Sequence, residues 1–192
     1  RAGFAAAYDG KQVAVVVPTT LLCRQHFHVF SERFKGYPMR IEQISRLVSP
    51  AHVRDIKEDM KFGTVDIVVN NAGILRDKSF KKMTLEEWDL VLSVHLNGSA
   101  YVTWHAWPIM YEKNYGRVIF TSSVSGILGS FGQSNYGAAK MGMVGLMNNL
   151  SREGASHNIH TNCLSPGAAT RMTASVPGSS IDADNPDPGN HP

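Results

Sequence analysis

Short apolar runs alternate with amphipathic stretches along most of the chain, and this alternation predicts an α/β protein. The apolar runs are rich in β-branched residues and end at turn residues, which favours strands. One of them, VDIVVNN, is largely apolar, as is typical of a parallel strand covered on both faces. We therefore expect a three-layer αβα domain with a mostly parallel sheet of about five strands. The strands are predicted at residues 11–18, 39–45, 65–71, 116–123 and 158–167.

Helices are predicted between these strands, and their first residues carry recognisable start signals. Thr19 is a candidate cap, and Pro50 stands in a first turn, where its missing N–H costs nothing. Thr84 and Glu87 have the spacing of a capping box. Beyond about residue 174 the chain is rich in Pro, Gly, Ser and Asp, so we expect a flexible tail. The helices are expected at about 20–34, 50–61, 85–112 and 133–154.

The segment TSSVSGILGSFGQSNYGAAK, residues 121–140, carries side chains suited to proton transfer. Tyr136 and Lys140 are four residues apart, so a helix places them on one face. An ammonium group beside a phenol favours the phenolate, and we expect the pKa of Tyr136 to lie below its reference of about 10. Ser123 ends a strand, and a returning loop would bring its hydroxyl to the phenol to bind a substrate oxygen. Y-x-x-x-K alone is common on helices, but its combination with the strand, the serine pair and the glycine-rich loop is specific.

Several motifs carry a resemblance to a known family. NNAG follows a predicted central strand, TSSVSG holds the serine, YGAAK holds the tyrosine and lysine, and SPG stands at 165–167. In these motifs residues 66–173 resemble the short-chain dehydrogenases/reductases. VHLNGS and GSFGQSNYGAAKMG are most similar to the (3R)-hydroxyacyl-CoA dehydrogenase unit of peroxisomal multifunctional β-oxidation enzymes. The resemblance implies a Rossmann-like fold, NAD or NADP as cofactor, and 3-hydroxyacyl-CoA or a similar alcohol as substrate.

The resemblance also implies a role for each matching position. Tyr136 would be the acid/base, Lys140 would assist it and hold the nicotinamide ribose, and Ser123 would position the substrate oxygen. The family's fourth catalytic residue is an Asn; here His95 occupies its position and Asn97 is the nearest Asn. The cofactor would be lined by Asn71, Ala72, Gly73, Pro166, Gly167 and Thr170, together with Tyr136 and Lys140.

The first third of the chain lacks the phosphate loop that this resemblance requires. After the first predicted strand comes PTTLLCRQ, without a glycine, where a G-x-x-x-G-x-G turn would bring backbone N–H groups to a pyrophosphate. Residues 1–69 are instead similar to the translocase module of the bacterial transcription-repair coupling factor, although the G-x-x-x-x-G-K-[ST] loop of that module is missing too. We therefore interpret the chain as a chimera that joins a helicase-like βαβαβ segment, 1–69, to a dehydrogenase-like segment, 66–173, in one joint domain.

The composition of the chain argues against several classes of function. The net charge of +3 and 18% charged residues describe an ordinary globular surface and give little support for a nucleic-acid partner. Cys23 and Cys163 lack metal-ligand spacing, so we expect free thiols, a reducing compartment and no metal. No apolar run reaches the length of a membrane span, and we expect a cytoplasmic or recombinant protein. We also predict a homodimer that forms through an apolar helix face. This face consists of Met141, Met143, Val144 and Met147, and the molecular mass in solution tests the prediction.

Three functions stay open from the sequence. The first is a recombinant α/β protein that carries a partial dehydrogenase site, binds its cofactor weakly or not at all, and lacks native-level activity. The alternative is an NAD(P)-dependent oxidoreductase acting on 3-hydroxyacyl-CoA or a similar alcohol. The second alternative is a nucleic-acid-binding fragment that uses Thr19, Thr20, Arg24 and Gln25.

Overall fold

The computed structural model describes residues 2–62 and 65–166, where four strands form one parallel sheet. The strands lie across the sheet in chain order: β1 (Val13–Val16), β2 (Ile67–Asn70), β3 (Gly116–Thr121) and β4 (Ile159–Leu164). The helices of this part of the chain are α1 (Ala2–Tyr8), α2 (Thr20–Arg33), α3 (Pro50–Phe62), α4 (Leu85–Leu92), α5 (Gly98–Lys113), α6 (Val124–Leu128) and α7 (Ser134–Glu153). A parallel sheet flanked by helices confirms the predicted α/β class. The predicted tail lies outside the described residues.

Residues 39–45, predicted as a strand, are coil in the structure. Their side chains bond to one another and to α3, and their backbone does not extend the sheet. Arg40 pairs with Glu42 at 2.8 Å and also with Asp59. Glu42 contacts His52 at 3.2 Å. Within the described residues the sheet therefore has four strands where about five were expected.

The two faces of the sheet are buried unequally. On one face, Val118 is fully buried and belongs to a core cluster with Met110 of α5 and Met143 of α7. On the opposite face, His160 and Asn162 of β4 are exposed. All buried strand residues therefore lie on the face covered by α5 and α7, and the opposite face is only partly covered, with Val15 of β1 exposed as well.

The predicted helix starts are confirmed. The Thr19 hydroxyl caps α2, and Thr84 with Glu87 forms the capping box of α4. The long helical region expected after Thr84 consists of α4, a π-helical turn at Ser93–Asn97, and α5, which runs through Pro108. None of the helices in residues 2–62 and 65–166 has both the length and the apolarity needed to cross a bilayer.

A buried carboxylate ties three strands and one helix together at the start of β2. Asp66 is 5% exposed, accepts the Gln12 N–H at 2.9 Å and pairs with the Lys113 ammonium at the end of α5. Its backbone carbonyl accepts the Arg117 N–H of β3 at 2.9 Å. Because Gln12 directly precedes β1, this one residue fixes the relative position of the first three strands.

We predict that Asp66→Ala lowers the free energy of unfolding by about 2 kcal/mol, because it removes the acceptor of a partly buried N–H and one partner of a partly buried ion pair. Urea denaturation measures the loss. Asp89→Ala, at an exposed position of α4, is the matched control and should stay within about 0.5 kcal/mol of the unmodified chain. Equal losses in the two variants would contradict the prediction.

Candidate active site

The predicted serine, tyrosine and lysine meet at the carboxyl-terminal edge of the sheet. Ser123 follows β3 and caps the short helix α6, while Tyr136 and Lys140 lie in the first two turns of α7. The Ser123 hydroxyl is near enough to the Tyr136 phenol to favour its ionised form. The Lys140 ammonium lies 5.3 Å from the centroid of the Tyr136 ring. The geometry therefore brings together the three residues on which the predicted proton transfer depends.

Lys140 is almost completely buried, with 3% of its surface exposed. Its ammonium donates to the Thr121 carbonyl at the end of β3, and its own carbonyl accepts the Ser122 hydroxyl at 3.1 Å. Burial disfavours the charged form and lowers the pKa of Lys140 to about 8, against a smaller opposite effect of Cys163. The ammonium is therefore close to its titration range at neutral pH.

The prediction that Lys140 lowers the pKa of Tyr136 is wrong for this chain. Burial of the phenol raises the pKa of Tyr136; the hydrogen bond from Ser123 opposes this shift, and the charge of Asp77 adds to it. The Lys140 ammonium lies over the ring and bonds to Thr121, so its charge does not act mainly on the phenol oxygen. The phenol therefore stays protonated at neutral pH.

His95 lies against Tyr136 inside the π-helical turn. The two ring centroids are 5.1 Å apart and the rings are nearly perpendicular. His95 is 1% exposed, and its Nε2 lies 3.0 Å from the backbone nitrogen and 2.8 Å from the backbone oxygen of Ile74. Asn97, at the end of the same turn, is exposed. Of the two candidates for the fourth position, the structure brings His95 to the site and leaves Asn97 at the surface.

The imidazole of His95 is neutral in the folded chain. Burial and, to a smaller extent, the Lys140 charge lower the pKa of His95 to about 4, while the hydrogen bond with Ile74 has a smaller opposite effect. Nδ1 is buried and has no hydrogen-bond partner in the described part of the chain. His95 therefore contributes packing and a neutral polar atom to the site.

The N-A-G segment after β2 connects the site to the neighbouring strands. A Cβ on Gly73 would lie 2.6 Å from Cε1 of His95, so only glycine fits beside this ring. Asn71 is exposed, and its Oδ1 accepts the Thr121 hydroxyl at 3.2 Å. Ala72 between them is partly buried. The segment predicted to line the cofactor thus reaches both the end of β3 and the His95 ring.

The remaining predicted cofactor residues lie after β4. Pro166 is exposed at the end of the described range. Gly167 and Thr170 lie outside the described residues.

The predicted dimer face is divided by the fold. Met143 is in the core, Met141 is half exposed, and the other two predicted residues, Val144 and Met147, are partly buried. Apolar surface nearby belongs instead to a groove of about 720 Å³ between α5 and α7. The groove is lined by Tyr101, Trp104, Trp107, Leu146 and Leu150, among others. The homodimer stays a prediction.

Both cysteines, Cys23 and Cys163, are free thiols, as predicted. Burial raises the pKa of Cys163, and the Lys140 charge opposes this shift. The described ranges contain no cluster of three His, Cys, Asp or Glu side chains that could hold a metal ion.

Four polar residues beside Tyr136 were missed by the sequence analysis: Asp77, Ser122, Gln133 and Asn135. Ser122 bonds to α7, Gln133 donates to Asp77 at 2.8 Å, and Asn135 is fully buried. A signal was available, because Gln133 and Asn135 stand in GQSNY, directly before the tyrosine. Short polar side chains in the first turn of a helix commonly bond to backbone groups.

A comparison with known families decides the family of the chain. The model of the short chain dehydrogenase family matches residues 7–179. The chain belongs to the short-chain dehydrogenase family. The match includes most of the segment 1–69, and the comparisons give no support for a coupling-factor module or for a chimera. The resemblance of that segment to a translocase rested on one short motif, PTTLL…QH, and was misleading.

Individual members of the dehydrogenase family match parts of the chain. A short-chain type dehydrogenase/reductase of Mycobacterium tuberculosis is 58% identical over 116 residues, which are 60% of this chain and 41% of that protein. Peroxisomal multifunctional enzyme type 2 of Mus musculus is 56% identical over 115 residues, 60% of this chain and 16% of the enzyme. Acetoacetyl-CoA reductase of Allochromatium vinosum is 48% identical over 125 residues, 65% of this chain and 50% of the reductase. The chain thus spans half or less of each of these proteins.

The fold is similar to that of a solved member of the family. The full-length peroxisomal multifunctional enzyme type 2 of Drosophila melanogaster matches with a TM-score of 0.60 and 36% identity, over 81% of this chain and 30% of that chain. With the family match, this similarity confirms the Rossmann-like fold.

The residues of the chain fit one end of a dinucleotide better than the other. At the nicotinamide end, Tyr136 and Lys140 offer a phenol and an ammonium. At the pyrophosphate end, the turn from β1 to α2 contains Pro18, which has no N–H, and Thr19, whose hydroxyl already accepts the Leu22 N–H at 3.2 Å. In the described ranges the strands lie in chain order, so the sheet lacks the reversal of order at which dinucleotides bind in doubly wound folds.

We predict that Gly73→Ala lowers the free energy of unfolding by about 2 kcal/mol, because its methyl group overlaps the His95 ring. In a chain that already carries His95→Ala, the Gly73→Ala change should cost much less than this, because the ring that the methyl group would overlap is gone. Gly145→Ala on α7 is the control; an added Cβ there meets no atom within 4 Å, and a better helix former should be neutral or stabilising by up to about 1 kcal/mol. Urea denaturation of Gly73→Ala, His95→Ala, the double variant and Gly145→Ala gives the coupling free energy between residues 73 and 95. If the losses of the two single variants simply add up in the double variant, the predicted contact is contradicted.

We predict that His95 makes the chain less stable in acid. The folded state holds the imidazole neutral with a pKa of about 4, against 6.5 in the unfolded chain. The stability that follows is present above pH 6.5 and is lost as the pH falls from there through 4. Between about pH 7 and 4 the unmodified chain should lose about 3 kcal/mol more than His95→Asn. Denaturation across this range tests it, and parallel stability curves would contradict it.

Proposed function

We propose that the chain is an NAD(P)-dependent oxidoreductase that acts on 3-hydroxyacyl-CoA or a similar alcohol and its carbonyl counterpart. The observation that carries the proposal is the placement of the buried Lys140 ammonium 5.3 Å from the centre of the Tyr136 ring, with Ser123 at the neighbouring end of β3. Membership of the short-chain dehydrogenase family supports this assignment of the reaction class.

Tyr136, Ser123 and Lys140 have different roles at the substrate oxygen. Tyr136 donates its proton to a carbonyl oxygen as that oxygen gains charge, and accepts it back in the oxidation of an alcohol. Ser123 donates a hydrogen bond to the same oxygen and keeps it within reach of the phenol. Lys140 places a positive charge next to the ring in which phenolate character develops. A nicotinamide, when bound, supplies or accepts the hydride. Since the phenol is protonated at neutral pH, the chain alone is prepared for carbonyl reduction.

Apolar surface next to Ser123 supports an acyl substrate. Ile127 and Leu128 of α6 are exposed, and Phe131 in the following loop is 81% exposed. Large exposed apolar groups next to polar side chains are typical of ligand sites. Two of the relatives bear the names acetoacetyl-CoA reductase and peroxisomal multifunctional enzyme type 2, which fits the same substrate class.

Cofactor affinity is expected to be low. The β1–α2 turn lacks the glycines that let a pyrophosphate approach the backbone, so most of the adenosine-side binding energy is missing. We therefore expect activity below that of a dehydrogenase with a glycine-rich turn.

We predict that NADH binds saturably with a dissociation constant of about 0.1–1 mM, which corresponds to about 4–5.5 kcal/mol. Lys140→Ala should weaken this binding. In 3-hydroxybutyryl-CoA oxidation, followed by NADH absorbance, Tyr136→Phe should lower kcat about 100-fold or more, because the proton acceptor is lost. Tyr101→Phe removes an equivalent hydroxyl at an exposed position of α5 and should leave both binding and turnover unchanged.

Two results would contradict the proposal. One is the absence of saturable binding of NADH or NADPH at concentrations well above this range. The other is turnover that Tyr136→Phe and Tyr101→Phe reduce equally.

A further inference from the structure

Asn135, the residue before Tyr136, joins three backbone segments. Its side chain is fully buried. Oδ1 accepts the backbone N–H of Tyr136 at 2.7 Å, and Nδ2 lies 3.3 Å from the carbonyl oxygens of Arg76 and Glu87. Arg76 belongs to the loop after β2, and Glu87 belongs to α4. One amide group therefore connects this loop, α4 and the first turn of α7.

The hydrogen bonds of Asn135 define the orientation of its amide. Its NH₂ group has two hydrogens, and each faces a carbonyl oxygen, while its oxygen faces an N–H. A reversed amide would place a nitrogen against an N–H and an oxygen against two carbonyls. Only asparagine combines two donors and an acceptor at this length, so no other residue reproduces the set.

The start of α7 depends on these contacts because its cap residue contributes none. Gln133 is the N-cap, yet its side chain makes no capping hydrogen bond. The first N–H groups of a helix have no partner within the helix. The Tyr136 N–H is one of them, and Asn135 satisfies it.

Two further contacts hold the same loop against the start of α7. The backbone N–H of Lys78 donates to the carbonyl of Gly132 at 2.9 Å. The amide of Gln133 donates to the Asp77 carboxylate at 2.8 Å. The loop at residues 76–78 and the segment at 132–135 are thus bonded at three successive places, of which the Asn135 bonds are nearest to Tyr136 in the chain.

We propose that Asn135 is a positioning residue for Tyr136, holding the first turn of α7 against the loop after β2 so that the phenol stays on Ser123 and next to His95. The role in catalysis rests on the proposed function, but the positioning itself does not need a cofactor. Loss of the Asn135 bonds leaves α7 free to move at its first turn, and the phenol becomes more exposed and leaves Ser123.

The titration of the Tyr136 phenol reports this positioning directly. The charged and titratable groups around the phenol are Lys140, His95 and Asp77. Asn135→Ala keeps all three, and release of the loop that carries Asp77 would lower the phenol pKa in the same direction as greater exposure. We label the tyrosines with ¹³C at Cζ and assign Tyr136, one of six, through the resonance lost in Tyr136→Phe. In Asn135→Ala the Cζ resonance should shift, and the pKa of the phenol should fall towards its reference of about 10.

The matched control is Asn149→Ala on the same helix. Asn149 is exposed, and its amide bonds only to the carbonyl of Gly145 within α7. This variant should leave the Tyr136 resonance and its titration unchanged. A folded Asn135→Ala chain with reduced thermal stability but an unchanged Tyr136 titration would overturn the proposal, because it would show a structural role only.

A second measurement needs no variant and covers the case in which Asn135→Ala does not fold. In the unmodified chain the Tyr136 amide is bonded to a buried oxygen, so its hydrogen exchange should be at least about 10-fold slower than in an unstructured peptide. Exchange at the unstructured rate would overturn the proposal. Both readouts are free of cofactor, so a chain that binds no NADH would refute the proposed function and leave the result for Asn135 intact.

Discussion

The site depends on two hydrogen bonds that join the end of β3 to the second turn of α7. The Lys140 ammonium is buried and donates a hydrogen bond to the carbonyl of Thr121. The Ser122 hydroxyl donates a second bond to the carbonyl of Lys140. A buried cation without such a partner would be strongly unfavourable. Because Ser123 follows this junction on the strand side and Tyr136 precedes it on the helix side, the junction determines how the serine hydroxyl and the phenol face each other.

Other elements complete the site around this junction. The π-helical turn brings His95 inward, and Gly73 leaves the space that the imidazole occupies. π turns are rare in proteins, but those that occur are often found at functional sites, which agrees with this placement. Asn135 and the pair of Asp77 with Gln133 connect the start of α7 to the loop after β2. The partly buried Tyr136 ring thus lies between the π turn, through His95, and its own helix, through Lys140.

The sequence was sufficient wherever the signal was local. The capping box of Thr84 and Glu87 and the shared face of Tyr136 and Lys140 follow from spacing within one helix, and both are present. The strand predicted at 39–45 is coil, and its Arg40 and Glu42 bond to side chains of α3. Apolar alternation along the chain does not determine whether a segment finds a place at a sheet edge.

Effects of burial were the other source of error. The direction of the Tyr136 pKa depends on where the lysine ammonium points and on how much water reaches the phenol, and neither is encoded in a four-residue spacing. The π turn was missed for a similar reason, since one inserted residue leaves the apolar pattern of a helix nearly unchanged. The family resemblance of residues 66–173 was informative because it rested on several motifs together, whereas the resemblance of 1–69 to a translocase rested mainly on one motif, PTTLL…QH.

The shifts at the site have one feature in common: each favours the uncharged form of its group. Burial lowers the pKa of His95 and Lys140 and raises the pKa of Tyr136 and Cys163. Of these groups only Lys140 stays mostly charged at neutral pH, and its pKa of about 8 lies close enough to neutrality for a charged ligand to change its protonation. The arrival of such a ligand redistributes protons among these side chains, so association exchanges protons with the solvent and the heat of binding includes the ionisation heat of the buffer.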